Sequence, residues 1–406
     1  MFGGWAAVLC VLVLLSGCPK PGAQDAGEDD AGSDAGAADS GSSDGGRRNV
    51  TFTRRVLDPR FLSEGVTAFD VDGDGKQDVV AAEQWFDLAT GTAHAIGTVT
   101  PLDPPSQYSS SFLNFEMDVD GDGRVDQVVF GFPLNGWKWR RNPGDGGAPW
   151  AEYPLGGAAP QESPVVTRLT PGGPQVAIFH VNGTQLAIYA PGPDPTQPWN
   201  PFVLELPAGP MALGSHGLGV GDLDGDGRPD IITPRGYWSQ PPTPDGGWDF
   251  YAHNLGPDCA QMQVADFNGD GLADLATSSA HGYGVWWHEQ KRDAGDVWFE
   301  RHDISIAFSQ SHALELGDLD GDGLLDIVTG KRMYAHPPGV DVDSEGPRVL
   351  YWFQQTRGDG GTVFVPHLID ADSGVGTQFI VRDLNGDGRL DIAVSNKRGL
   401  HYFEQQ

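Results

Sequence analysis

Aspartate recurs in this chain at one fixed spacing, Asp-x-Asp/Asn-Gly-Asp-Gly-x-x-Asp, in six separate stretches. The first offers Asp70, Asp72, Asp74 and Asp78, with Lys76 at position 7. The second offers Asp118, Asp120, Asp122 and Asp126, with Arg124 at position 7. The third runs through Asp222, Asp224, Asp226, Arg228 and Asp230, and the fourth through Asp266, Asn268, Asp270, Leu272 and Asp274. The fifth holds Asp318, Asp320, Asp322, Leu324 and Asp326, the sixth Asp383, Asn385, Asp387, Arg389 and Asp391. Short oxygen-bearing side chains at alternate positions of a tight loop suit a hard divalent cation, and calcium takes about six to eight oxygens. Position 7 varies in type, so its contribution would be a main-chain carbonyl. Glycine at position 6, Gly75 in the first copy, permits the sharp turn that such a loop needs. The expectation is about six structural Ca²⁺ ions. Six plain acidic turns are the alternative, and repetition at fixed phase argues against it.

Strands must position these loops. Position 12, where an EF-hand places a bidentate Glu, is Ala81, Val129, Thr233, Thr277, Thr329 and Val394. Runs such as Ile327-Val328-Thr329 and Ile231-Ile232-Thr233 follow the loops at once. Period-2 alternation precedes them, as in Leu314-Glu315-Leu316, which signals half-buried strands. Position 2 is always apolar and is expected to tuck beneath the ion.

First aspartates fall at 70, 118, 222, 266, 318 and 383, and a degenerate unit fits midway through the long second gap. There Ser163–Thr170 aligns with Ser311–Asp318, and Pro171–Pro174 replaces the acidic residues. Repeats of roughly 40 to 50 residues with four strands each are propeller blades. The chain stops after a third-type strand, Leu400–Phe403, and a fourth-type strand, Phe52–Leu57, precedes the first loop. The reading is therefore all-β: a seven-bladed β-propeller of four-stranded blades over residues 49–406. Its N-terminal strand completes the last blade and removes the open edge. An insertion around Ala335–Pro347 lengthens the last interval.

These loops and strands resemble FG-GAP/VCBS-type repeats, the calcium-binding blades of integrin α-subunit propellers and many bacterial surface proteins. The resemblance covers roughly residues 50 to 406. It implies that the acidic loops join strands one and two on one face, and that ligands bind the other. That other face is built from the 4-to-1 and 2-to-3 connections. Mapped onto this sequence it carries Ser109–Ser111, His216, Asp258 and His312, then Asn135, Trp137, Arg235, Tyr237, Trp238, His281, Tyr283, Lys331 and Arg332. Ser215-His216 and Ser311-His312 occupy equivalent places. Such histidines suit a transition metal, acid–base chemistry or a sugar contact, and equally a structural role copied with the repeat. Trp137, Trp238 and Trp85 are candidate loop-tip platforms for a glycan. Trp286, Trp287 and Trp352 lie on third strands and are expected to pack between blades.

The N-terminal stretch has an eleven-residue apolar run, Trp5–Leu15, which suits a signal peptide and is too short to span a membrane. Leu15-Ser16-Gly17-Cys18 resembles the lipobox of bacterial lipoproteins. Residues 1–17 are then the signal, Cys18 the lipidation site and 18–48 an Asp/Gly/Ala/Ser tether. An ordinary secretory signal is the alternative. Pro19, in place of Asp, favours the outer membrane by resemblance to the usual sorting rule. Cys10 leaves with the signal, so Cys18 and Cys259 allow no disulfide within the domain.

The formal net charge is −31. Four carboxylate positions per loop, two of them Asn, place 22 acidic side chains in the six loops, and six Ca²⁺ would leave about −19. That charge opposes nucleic-acid binding and docking on anionic lipid heads. No nucleophile elbow, Walker loop, HExxH or zinc-spaced cysteines occur, so no catalytic residue is assigned. Three functions stay open: a surface module binding a protein or glycan, a carbohydrate-active enzyme of lyase or dehydratase type, and a structural envelope component.

Overall fold

A computed structural model describes residues 48–132, 135–159, 161–182, 184–207, 216–243, 246–256 and 259–406. The signal, Cys18 and most of the tether lie outside these residues, as do Ser215 and Asp258. The described residues form seven antiparallel sheets of four strands and no helix. The first acidic loop joins Thr67–Phe69 to Asp78–Ala81, and Gln84–Asp87 and Thr92–Ala95 finish blade one. Blade two holds Leu113–Met117, Asp126–Phe130, Gly136–Arg141 and Ala151–Ala158. The degenerate blade three is real: Val165–Arg168, Gln175–Asn182, Gln185–Tyr189 and Pro201–Glu205 pair in that order. Blade four has Gly219–Gly221, Asp230–Thr233, Gly236–Ser239 and Asp249–Ala252; blade five has Gln263–Ala265, Asp274–Ser278, Tyr283–Asp293 and Asp296–Ser309. Blade six holds Leu314–Gly317, Asp326–Gly330, Leu350–Gly358 and Gly361–Asp370.

Blade seven consists of Phe379–Arg382, Asp391–Asn396 and Gly399–Gln405, with Phe52–Asp58 as its fourth strand. Phe52 pairs with Gln405 and Arg54 with Phe403, so the first strand closes the ring on the last. The first strands of blades seven and one touch, as expected of a closed ring.

Second strands are buried along their whole length in the six acidic-loop blades, which is why they read as unbroken apolar runs. Third strands carry the large aromatics into the gaps between blades. Trp137 packs against Phe130, Phe179, Tyr189 and Trp199, drawing blades two and three together. Burying each such ring removes a large apolar area from water, at about 25 cal/mol per Å².

Position 2 of each acidic loop points into this core, from Val71 in the first loop to Leu384 in the last. Glycines at both position 4 and position 6 take positive φ, +80° and +86° at Gly73 and Gly75. A Cβ at Gly73 or Gly75 would meet nothing within 4 Å, so the requirement in this loop is one of backbone conformation.

Candidate functional site

Turns joining strands one and two leave a blade at one end, and turns joining strands two and three leave at the other. The acidic loops therefore share one face. In the first, Asp70 accepts main-chain N–H bonds from Gly73, Asp74 and Gly75 at 2.8–3.1 Å. The position-9 aspartate is the anchor. Asp78 Oδ2 accepts the N–H of Val71, and the same bond recurs from Asp126 to Val119 and from Asp326 to Leu319. Its Oδ1 accepts a main-chain N–H from the third strand, given by Asn142, Gln240, Gln290, Gln355 or Gln405 in five blades.

Those five amides also cross to the preceding blade. Asn142 donates to the carbonyl of Val71, Gln290 to Leu223, Gln355 to Phe267 and Gln405 to Leu319, each at position 2 of the neighbouring acidic loop. Gln240 reaches Leu169 of the degenerate blade instead. Sequence reading passed over these residues, although an amide in the later part of the third strand or just past it, in five of the six acidic-loop blades, was a usable signal.

The donor set fits calcium. Oxygens of Asp70, Asp72 and Asp78, and of Asp118, Asp120 and Asp122, lie within 4.8 Å of one another. Asp118 Oδ1 is buried and meets no hydrogen-bond partner among the described residues, which a cation would supply. Burial pushes the carboxyls of Asp78, Asp126 and Asp326 up to about 7, and those of Asp230 and Asp274 up to about 6. A bound divalent ion would reverse that shift. Cationic side chains at position 7 pair with position 5 in four loops: Lys76 with Asp74, Arg124 with Asp122, Arg228 with Asp226, and Arg389 with Asp387. Leu272 and Leu324 offer no such pair.

The opposite face gathers histidines from three blades. His216 precedes the first strand of blade four, His281 lies in the 2-to-3 turn of blade five, and His312 precedes the first strand of blade six. One ring nitrogen from each lies within 4.8 Å of the others, and the Nε2 atoms of His216 and His281 are 3.0 Å apart. His312 is buried, and burial lowers its pKa well below the ordinary value, so the ring is neutral. Its Nδ1 lies 3.2 Å from the carbonyl of Gln310. The blade-six insertion adds His336, stacked on His281 at 4.6 Å, and Asp341. Asp341 is 3.0 Å from Nδ1 of His336 and 3.6 Å from Nδ1 of His281. Burial opposes ionisation of Asp341, but hydrogen bonds from these two histidines hold its carboxyl well below the usual range. Sequence reading found His216, His281 and His312, and noted the insertion without seeing what it brings.

Several expected rim residues are buried instead. Trp137, Tyr237 and Trp238 sit in third strands, at most 4% exposed, because the 2-to-3 turns are tight and the strand resumes at once. Trp85 is likewise buried, stacked on His94. Arg332 is 1% exposed in an ion triad with Glu64 and Glu162, its guanidinium over the Phe112 ring. Lys331 binds Ser309 and the main chain of Asp343, fastening the insertion. Ser109 and Ser111 bond to Leu62 and Asn114. Asn135 and Tyr283 are exposed. Between the faces, the first strands surround a cavity of about 350 Å³ whose polar lining includes Glu116, Glu315, Gln261, Gln378 and Arg382.

Residues 266–329, from the blade-five loop through the second strand of blade six, match the FG-GAP-like repeat family. No curated protein matches the chain in sequence. Among solved structures, BBS1N in complex with ARL6DN is similar at 11% identity and a TM-score of 0.50, covering 89% of this chain and 97% of that one. The rhamnogalacturonan lyase YesW is similar at 15% identity and a TM-score of 0.44, covering 86% of this chain and 72% of that one. The likeness to BBS1N is one of fold. Residues 266–329 thus carry an FG-GAP-like repeat, and the described residues form a seven-bladed β-propeller.

Proposed function

We propose that the protein is a cell-envelope binding module in which calcium clamps one face and the other face recognises a partner. The observation that carries this reading is the division of labour between the faces. One repeats a single oxygen-rich loop six times, with a buried unpaired carboxylate oxygen at Asp118. The other is built of parts that occur once, including the blade-six insertion. Calcium affinity is expected in the range of about 0.1–1 mM, as in other extracellular modules. Export and lipidation at Cys18, with residues 18–48 as tether, would hold the propeller off an outer membrane. Loss of palmitate labelling in Cys18→Ser would test that anchor.

A protein partner is favoured over a glycan. The tryptophans that would stack on sugar rings are buried, whereas the outer strands of blades five and six expose Trp298, Ile306, Val363 and Leu368. The test is cross-linking on intact cells beside a glycan array, each with calcium and with chelator. Calcium-dependent capture weakened by Tyr283→Ala supports the reading. Capture that persists in chelator, or that maps to the acidic loops, sinks it. A lyase or dehydratase is the second reading, favoured by the convergence of His216, His281 and His312 beside Asp341.

A further inference from the structure

We infer that His216, His281 and His312 bind one divalent transition-metal ion of the zinc class, on the face opposite the acidic loops. The site stands independently of the calcium loops. Three ring nitrogens converge from three blades within 4.8 Å, and the 3.0 Å between two Nε2 atoms approaches the spacing set by one ion. A tetrahedral centre with bonds of about 2.0–2.1 Å places its ligand nitrogens about 3.3 Å apart. A single N–H···N bond could join His216 to His281. It would leave His312 Nε2 unserved, and that atom is buried without a hydrogen-bond partner among the described residues. One cation satisfies all three.

Two of the outer nitrogens face acceptors of the kind that ligand histidines use. His312 Nδ1 faces the Gln310 carbonyl at 3.2 Å, and His281 Nδ1 faces the Asp341 carboxylate at 3.6 Å. The Gln310 carbonyl keeps the His312 proton on Nδ1 and turns its Nε2 lone pair inward, and the carboxylate charge beside His281 Nδ1 favours the same tautomer there. Gln310 adopts φ +60°, the left-handed region, and its carbonyl also receives the Arg332 N–H. A non-glycine residue held there marks a place where the surrounding structure imposes geometry. Imidazole donors select a borderline ion such as Zn²⁺ and disfavour calcium, which prefers oxygen. Three protein ligands leave a fourth position open. The His281 side chain is 29% exposed, so a water or an anionic group of an incoming ligand can reach it.

The test uses the purified protein, stripped with chelator and returned to excess Ca²⁺ so that the acidic loops are filled. Co²⁺ is then titrated as a visible-absorption probe, and Zn²⁺ competes it off. The expected result is one equivalent of Co²⁺ with an intense ligand-field spectrum, displaced by Zn²⁺. His312→Ala should lose the spectrum, and Asp341→Asn should weaken binding by about 10–100-fold. Absence of the spectrum overturns the inference, as does an unchanged spectrum and affinity in both variants. If His312→Ala fails to melt cooperatively in calcium, Asp341→Asn decides alone. Failure of the calcium clamp would register separately, in the Ca²⁺ titration of the unsubstituted protein.

Discussion

The loop face is one solution copied six times, and the opposite face is a set of exceptions. Blade three sharpens the contrast. It has lost every acidic ligand to Pro171–Pro174, yet its four strands pair in full register order. A blade can therefore form without the loop, on strand pairing and interblade packing alone. What the loops add is stiffness at one end of each blade. The opposite face combines repeat positions, His216 and His312, with parts found in one blade, Arg332 and the insertion that carries His336 and Asp341.

The comparison can be broken first by removing calcium. At about 1 mM Ca²⁺ each filled site stabilises by about 0.4–1.4 kcal/mol, so chelation should cost about 2–8 kcal/mol over six sites. Thermal melting would read this, and hydrogen exchange should show blade three changing least at its 1–2 turn. An unchanged melting temperature in chelator would falsify the clamp. Arg332→Met attacks the other face. It leaves Glu64 buried without its partner and should cost about 3–5 kcal/mol in denaturant melts, while the number of calcium sites stays the same.

Gln290→Ala tests the stitching between blades. It removes the amide donor from the carbonyls of Leu223 and Ala273, leaving Leu223 only a long bond from Arg292, at a cost of about 1–3 kcal/mol. Calcium affinity should fall in the blade-four loop as well as in its own, as loop-resolved nuclear magnetic resonance would show. Glu315 lies in the cavity between the faces, where burial pushes its carboxyl up to about 8. The folded protein holds a proton there that the unfolded chain releases near pH 4.5, so stability declines as pH rises from about 4.5 to 8. Glu315→Gln should flatten that decline, gaining about 1 kcal/mol at pH 9 and little at pH 4.

The fold was legible because its signals repeat. Six loops in phase, apolar second strands and the spare strand Phe52–Leu57 fixed seven blades and their closure. The geometry of the acidic loops was legible for the same reason. The opposite face was legible only where it borrowed the repeat, as at His216 and His312. His336 and Asp341 lie in an insertion found in one blade, so no periodicity pointed to them. Trp137, Tyr237 and Trp238 were misplaced because the third strand resumes soon after the turn and is buried, and Arg332 because Glu64 and Glu162 draw it inward at the start of the insertion. Sequence spacing locates such a turn but says nothing of which neighbour covers it.

Ring closure bears on how the protein is made. Phe52–Asp58 has its partner in Gly399–Gln405, at the far end of the synthesised domain. A nascent chain must carry its first strand unpaired through the making of six blades. Any product that stops short of Gly399–Gln405 keeps that edge exposed, ready to pair with another chain or to be cut by a protease. Completion of the last strand is therefore the step at which this edge becomes covered.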